Sequence, residues 1–82
     1  MRDFTPSADV KANQRSTLLK HMREHGGIST LEGREIHGIQ GVAPRIFELR
    51  NLGHDITTTR VLEQDSQGRF HPMAFYRLRG AA

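Results

Sequence analysis

Between Gln40 and Asn51 stand side chains able to read the edges of DNA base pairs: Gln40, Ala43, Pro44, Arg45, Glu48 and Asn51. An arginine such as Arg45 forks onto guanine, and an asparagine such as Asn51 onto adenine. A glutamate such as Glu48 accepts from a cytosine amine. The same residues have a plainer use, since Arg45 can pair with Glu48 or Glu35 and order a helix. Further on, Gln67-Gly68-Arg69 puts one arginine on a turn, free to reach phosphate or minor groove or simply to stand in solvent. Arg77 and Arg79 alternate with Tyr76 and Leu78, so they emerge together with Phe75 on the outer side of their segment. Basic residues interleaved with aromatics also suit single-stranded nucleic acid. Here Tyr76 and Leu78 are better placed to complete a core.

The run His21-Met22-Arg23-Glu24-His25 has the His-x-x-Glu-His spacing of an inverted zinc-protease site, two imidazoles one helical turn apart. Such chemistry needs a third ligand and a cleft, and no carboxylate stands in a comparable downstream helix. His25 adjoins Gly26-Gly27, and a protonated imidazole at a helix C-terminus is ordinary and favourable. His37 and His54 each stand beside a helix-ending glycine and have the same explanation. No nucleophile elbow, phosphate-binding glycine loop or convincing carboxylate pair occurs. The expectation is a protein that is not an enzyme and uses no cofactor and no metal.

The chain is basic, with a formal net charge of +3, and its cations are mostly arginine, the type suited to forked contacts with phosphate and guanine. The balance is uneven. Residues 1–26 carry five cations against three anions, residues 54–82 four against three, and residues 27–53 three against three. Nucleic acid is allowed by this balance without being demanded by it. With no cysteine there is no disulfide scaffold and no thiolate zinc site. No apolar run approaches a membrane span and the first residues lack a signal-peptide stretch. A soluble cytoplasmic domain is therefore expected.

The elements that must position these side chains follow from periodicity and punctuation. Residues 1–10 read as a flexible N-terminal arm, residues 11–79 as the domain, and residues 80–82 as a C-terminal tail. A first helix is predicted from about Lys11 to His25 on the spacing of Leu18, Leu19 and Met22, with Ala12 and Arg15 on the same side. Gly26-Gly27 stops it. Ile28 fits a very short strand. Ser29-Thr30-Leu31-Glu32 is a capping box that starts a second helix, Thr30 to His37, with Leu31, Glu35 and Ile36 near one face. Gly33 inside it costs about 1 kcal/mol against alanine, which is tolerable where another helix passes close by.

Pro44 falls in the first turn of a third helix that begins near Gly41 or Val42, where its missing amide does no harm. Val42, Ile46 and Leu49 line one face, Leu52 closes the end and Gly53 stops it. Phe47 on the outer side suits either a dimer contact or packing beneath the hairpin. Residues 55–63 are rich in β-branched types and alternate as a strand. Asp65-Ser66-Gln67-Gly68 is a turn, and residues 73–79 return with Ala74, Tyr76 and Leu78 on one face. Pro72 belongs at that strand's outer edge or in a bulge. Helix, short strand, helix, helix, strand, strand is the order of a winged helix-turn-helix, mainly α with a small β-hairpin (α+β).

The segment that includes Ser29-Thr30-Leu31-Glu32, Arg45-Ile46-Phe47-Glu48-Leu49-Arg50 and Leu52-Gly53 resembles a family of small helix-turn-helix domains found in bacteriophages and prophages. The resemblance covers about residues 13 to 79. It implies a winged helix fold and DNA binding, and Gly33 departs from it where alanine is usual. The expected partner is double-stranded DNA, bound by a phage or prophage transcriptional regulator or architectural factor. The third helix would lie in the major groove, and the hairpin, through Arg69 and Arg77, on the backbone or minor groove. A homodimer would widen the footprint. The alternative is a winged-helix module that binds a host or phage protein, favoured by the neutral charge of residues 27–53.

Overall fold

The computed structural model describes residues 7–79. Ser7 opens α1 (Ala8–His25): its hydroxyl accepts the Val10 N–H at 3.2 Å, and Asp9 occupies the first turn, where the helix dipole favours an anion. The helix therefore starts at Ala8 rather than Lys11, and residues 8–10, expected in the arm, are helical. The remainder of that arm, residues 1–6, and the tail, residues 80–82, lie outside the described residues.

Helix α1 turns Leu18, His21 and Met22 inward, with Leu19 half-buried beside them; Ala12 stays exposed. Gly26, at φ 85°, takes the left-handed conformation that closes the helix, its N–H bonding the Met22 carbonyl. Gly27 is fixed by close approach: a Cβ there would lie 2.5 Å from the Phe75 ring. The chain then forms β1 (Ile28–Ser29) and enters α2 (Thr30–Glu35) through the expected capping box. Glu32 N–H donates to Ser29 Oγ at 3.0 Å and Ser29 N–H to Glu32 Oε1 at 2.9 Å. Ser29 Oγ also donates to Glu63 at 2.8 Å, tying this junction to the hairpin.

Helix α2 ends at Glu35, two residues before the expected His37. The chain reverses through Gly38, whose N–H bonds the Arg34 carbonyl, and Ile39 N–H bonds the Gly33 carbonyl. That turn delivers Ile39 to the core and leaves Ile36, grouped with Leu31 and Glu35 near one face, exposed. Helix α3 (Val42–Asn51) packs Val42, Ile46 and Leu49 inward, while Leu52, expected to close its end, is exposed. Gly33 is what lets α2 and α3 meet: a Cβ there would stand 2.7 Å from Val42 Cγ2. Alanine at this position would overpack the seam, which accounts for the departure from the usual residue.

Strands β2 (Ile56–Gln64) and β3 (Phe70–Leu78) pair antiparallel from Ile56↔Leu78 to Gln64↔Phe70, and β1 adds to β3 at Ile28↔Tyr76 and Ser29↔Phe75. The sheet order is β1-β3-β2. Strand β3 begins at Phe70, ahead of the expected residue 73, and includes Pro72. There β1 no longer reaches, so β3 is paired on one side only and behaves as an edge. Ile28, Ile56 and Tyr76 close the sheet side of a core completed by Leu18, Met22, Ile39, Val42, Ile46 and Leu49. Ala74 and Leu78 pack against it, on the face expected for them. The architecture of the described residues is α+β, three helices and a small antiparallel sheet whose last two strands form a wing.

Candidate nucleic-acid interface

Helix α3 is seated by its charges as much as by its apolar face. Arg45 is almost wholly buried, its side chain 8% exposed, with Nε 2.9 Å from Glu48 Oε1 and Nη2 donating to Glu48 Oε2 at 2.9 Å. The Nε contact is an ion pair without hydrogen-bond alignment. From α1, Arg15 donates to Glu48 Oε1 at 2.7 Å and Gln14 accepts from Arg45 at 3.4 Å. The hydrogen bond from Arg15, together with the nearby Arg45 charge, holds the Glu48 carboxyl below its usual range against a smaller opposing effect of burial. A half-buried carboxylate between two guanidinium groups thus fastens α3 to α1. Of the two uses open to Arg45, the structure shows the pairing with Glu48.

Arg50 is engaged as well. Its Nε and Nη2 both donate to the Ile56 carbonyl, at 2.9 and 2.8 Å, and Nη2 reaches Thr58 Oγ1 at 2.6 Å. It therefore joins the end of α3 to the start of β2. Besides Arg50, the exposed residues of α3 are Ala43, Pro44, Phe47 and Asn51, with Gln40 exposed in the preceding turn. Ala43, Phe47 and Asn51 recur at four-residue spacing and share one face. Gln40, Ala43, Pro44 and Asn51 are thus each exposed, and Arg45 and Glu48 lie at the α1–α3 seam.

The wing tip is a built turn. Asp65 Oδ1 accepts the N–H groups of Gln67 and Arg69, each at 2.9 Å, and Asp65 Oδ2 lies 2.7 Å from His71 Nε2. These bonds, the one from His71 foremost, keep the Asp65 carboxyl below its ordinary range. Gly68, at φ 84°, supplies the reversal. Arg69 is exposed on this turn, and Arg60 is exposed on β2 facing the cleft toward α2, where Arg34 also lies. Arg77, exposed on β3, lies over the Phe75 ring at 5.7 Å.

The histidines have a structural arrangement that sequence spacing missed. His21 is buried and its Nδ1 lies 2.9 Å from His37 Nε2, while the His21 and His25 rings approach to 4.5 Å between centroids. Burial first, then the charges of His25 and His37, push the His21 pKa down. Among the described residues no group of three histidines or carboxylates is arranged to hold a metal ion. Arg15 was the other residue missed, although its place on the inward side of α1 was a signal: a cation there needs an anion opposite. Among the described residues no helix is long and apolar enough to cross a membrane.

A family model described as a winged helix-turn-helix domain matches residues 13–80. Neither the curated proteins nor the solved structures give a match.

Proposed function

The chain belongs to the winged helix-turn-helix domain family, and from that membership we propose that it binds double-stranded DNA. Helix α3 enters the major groove and the β2–β3 wing lies on the backbone or in the minor groove. The observation that carries this reading is the state of the hairpin's cations. Arg60, Arg69 and Arg77 are exposed, and among the described residues none is within ion-pair distance of a carboxylate. Helix α3 adds a second support: it starts at Gly41 with no side-chain cap, leaving first-turn N–H groups toward which a phosphate is drawn.

The reading assigns DNA contact to Gln40 in the turn before α3, to Ala43, Pro44 and Asn51 on α3, and to Arg69 and Arg77 on the wing. Arg45 and Glu48 act behind them by fixing the helix. In its resemblance to phage and prophage domains the protein is a transcriptional regulator or architectural factor of the bacterial cytoplasm, and pairing of two copies on two half-sites would give the footprint specificity needs.

A second reading has its own observation. The α3 stripe of Ala43, Phe47 and Asn51 bears no charge and Phe47 is 62% exposed, as suits a module that docks on another protein. Binding to duplex DNA across a salt titration separates the two. Retardation at low salt that weakens steeply as salt rises supports DNA binding through phosphates. Absence of binding at low salt leaves the protein partner.

A further inference from the structure

Every charged side chain of α3 is bonded to another group of the protein, including Arg50, which is exposed. Arg45 and Glu48 face each other at the α1 seam, and Arg50 forks onto the Ile56 carbonyl. A helix that reads guanine needs an arginine or lysine free at the base edge, and one that reads cytosine needs a free carboxylate. The reading stripe of α3 offers neither. It offers a methyl group at Ala43, a phenyl ring at Phe47 and a side-chain amide at Asn51, and the preceding turn adds the amide of Gln40.

The major groove has matching groups on one kind of base pair alone. Thymine presents its C5 methyl, the groove's apolar feature, and adenine presents the N6–N7 donor and acceptor pair that a carboxamide satisfies with two hydrogen bonds. We propose that α3 is a reader of A·T base pairs, with Ala43 and Phe47 against thymine methyl groups and Asn51 or Gln40 on adenine. This rests on the DNA-binding reading and names the sequence class that it selects. It also makes Phe47 a specificity-determining residue, which explains a large aromatic ring left in solvent on a helix whose other large apolar side chains, Ile46 and Leu49, are buried. Electrostatic attraction comes from the wing and discrimination from an uncharged stripe.

The experiment is selection of bound fragments from a random-sequence duplex pool at low salt, followed by fluorescence anisotropy on the selected site. An A·T-rich consensus is expected. Uracil in place of thymine, which removes only the methyl group, should weaken binding about fourfold per contacted position. Phe47→Ala should abolish that dependence on one methyl, and Asn51→Ala should cut preference for adenine at one position roughly tenfold. Both residues are exposed, and circular dichroism of each variant checks that the fold is kept. A G·C-rich consensus would overturn the proposal while leaving DNA binding in place, as would uracil-insensitive binding or a Phe47→Ala variant that keeps the wild-type dependence at every methyl position. Failure of every duplex to bind at low salt would overturn the DNA reading and this inference with it, and assign the Phe47 stripe to a protein contact.

Discussion

Helix α3 carries Arg45 and Arg50, the β2–β3 hairpin carries Arg60, Arg69 and Arg77, and the two sets differ in what their guanidinium groups touch. The α3 pair is bonded to other groups of the protein, buried Arg45 to Glu48 and exposed Arg50 to the Ile56 carbonyl. The hairpin set is exposed, with Arg77 over an aromatic ring. The same residue type thus does structural work in one region and is left available in the other. For Arg45 burial explains the difference, while exposed Arg50 is held by acceptors at the start of β2. A guanidinium taken out of water must find a carboxylate and further acceptors, and Arg45 has Glu48 and Gln14 in reach. On a two-stranded wing little can be buried, so its cations keep their water and their reach.

If that division is correct, the largest effect on stability belongs to Arg45. Arg45→Ala removes charge-assisted bonds from a buried position and should cost about 2 kcal/mol in denaturant unfolding, whereas Arg69→Ala should stay within about 0.5 kcal/mol. Equal costs would break the comparison. Ser29→Ala comes next at about 1.5 kcal/mol, because it loses the α2 cap and the bond to Glu63 that joins hairpin to helix. A change no larger than that of a surface site would show that the capping box carries no strain-free advantage in this fold.

Acid titration gives smaller effects that separate two parts of the helical unit. The folded-state pKa of His21 is lowered, so the unfolded chain binds its proton more readily. Stability is therefore full above the ordinary imidazole value of 6.5 and declines as pH falls below it. The Glu48 carboxyl is also lowered, but for an acid the contribution is present above its ordinary value of 4.5 and is lost as pH falls through the depressed one. Chemical denaturation at stepped pH should show a first decline that His21→Gln removes and a second that it leaves. A variant with the wild-type profile throughout would mean that the His21–His37 contact tolerates protonation.

Local signals in the sequence were enough for the elements. Ser29 and Glu32 announce a capping box through three-residue spacing, Gly26 announces a helix end, and alternation in residues 55–63 and 73–79 announces the wing. Signals that depend on neighbours distant in the chain were not readable. Whether Arg45 faces solvent or Glu48 and Gln14 depends on how α1 crosses α3, thirty-one residues away at Gln14. That Ile39 and not Ile36 enters the core depends on a two-residue difference in where α2 stops, and helix ends are the least determined part of such a reading. Phe47 was ambiguous for the same reason: its exposure follows from α3 packing on α1 and α2 and leaving its opposite side uncovered.

The division between structural and available arginines is tested most directly by the salt dependence of duplex binding, measured for the wild type, Arg45→Ala and Arg69→Ala at a temperature where all three are folded by circular dichroism. Each phosphate contact contributes about 0.9 to the slope of log K against log salt. The result expected is a slope reduced by about that amount in Arg69→Ala and unchanged in Arg45→Ala. A slope reduced in Arg45→Ala and unchanged in Arg69→Ala would contradict the account, because the buried arginine would then be the one that meets DNA.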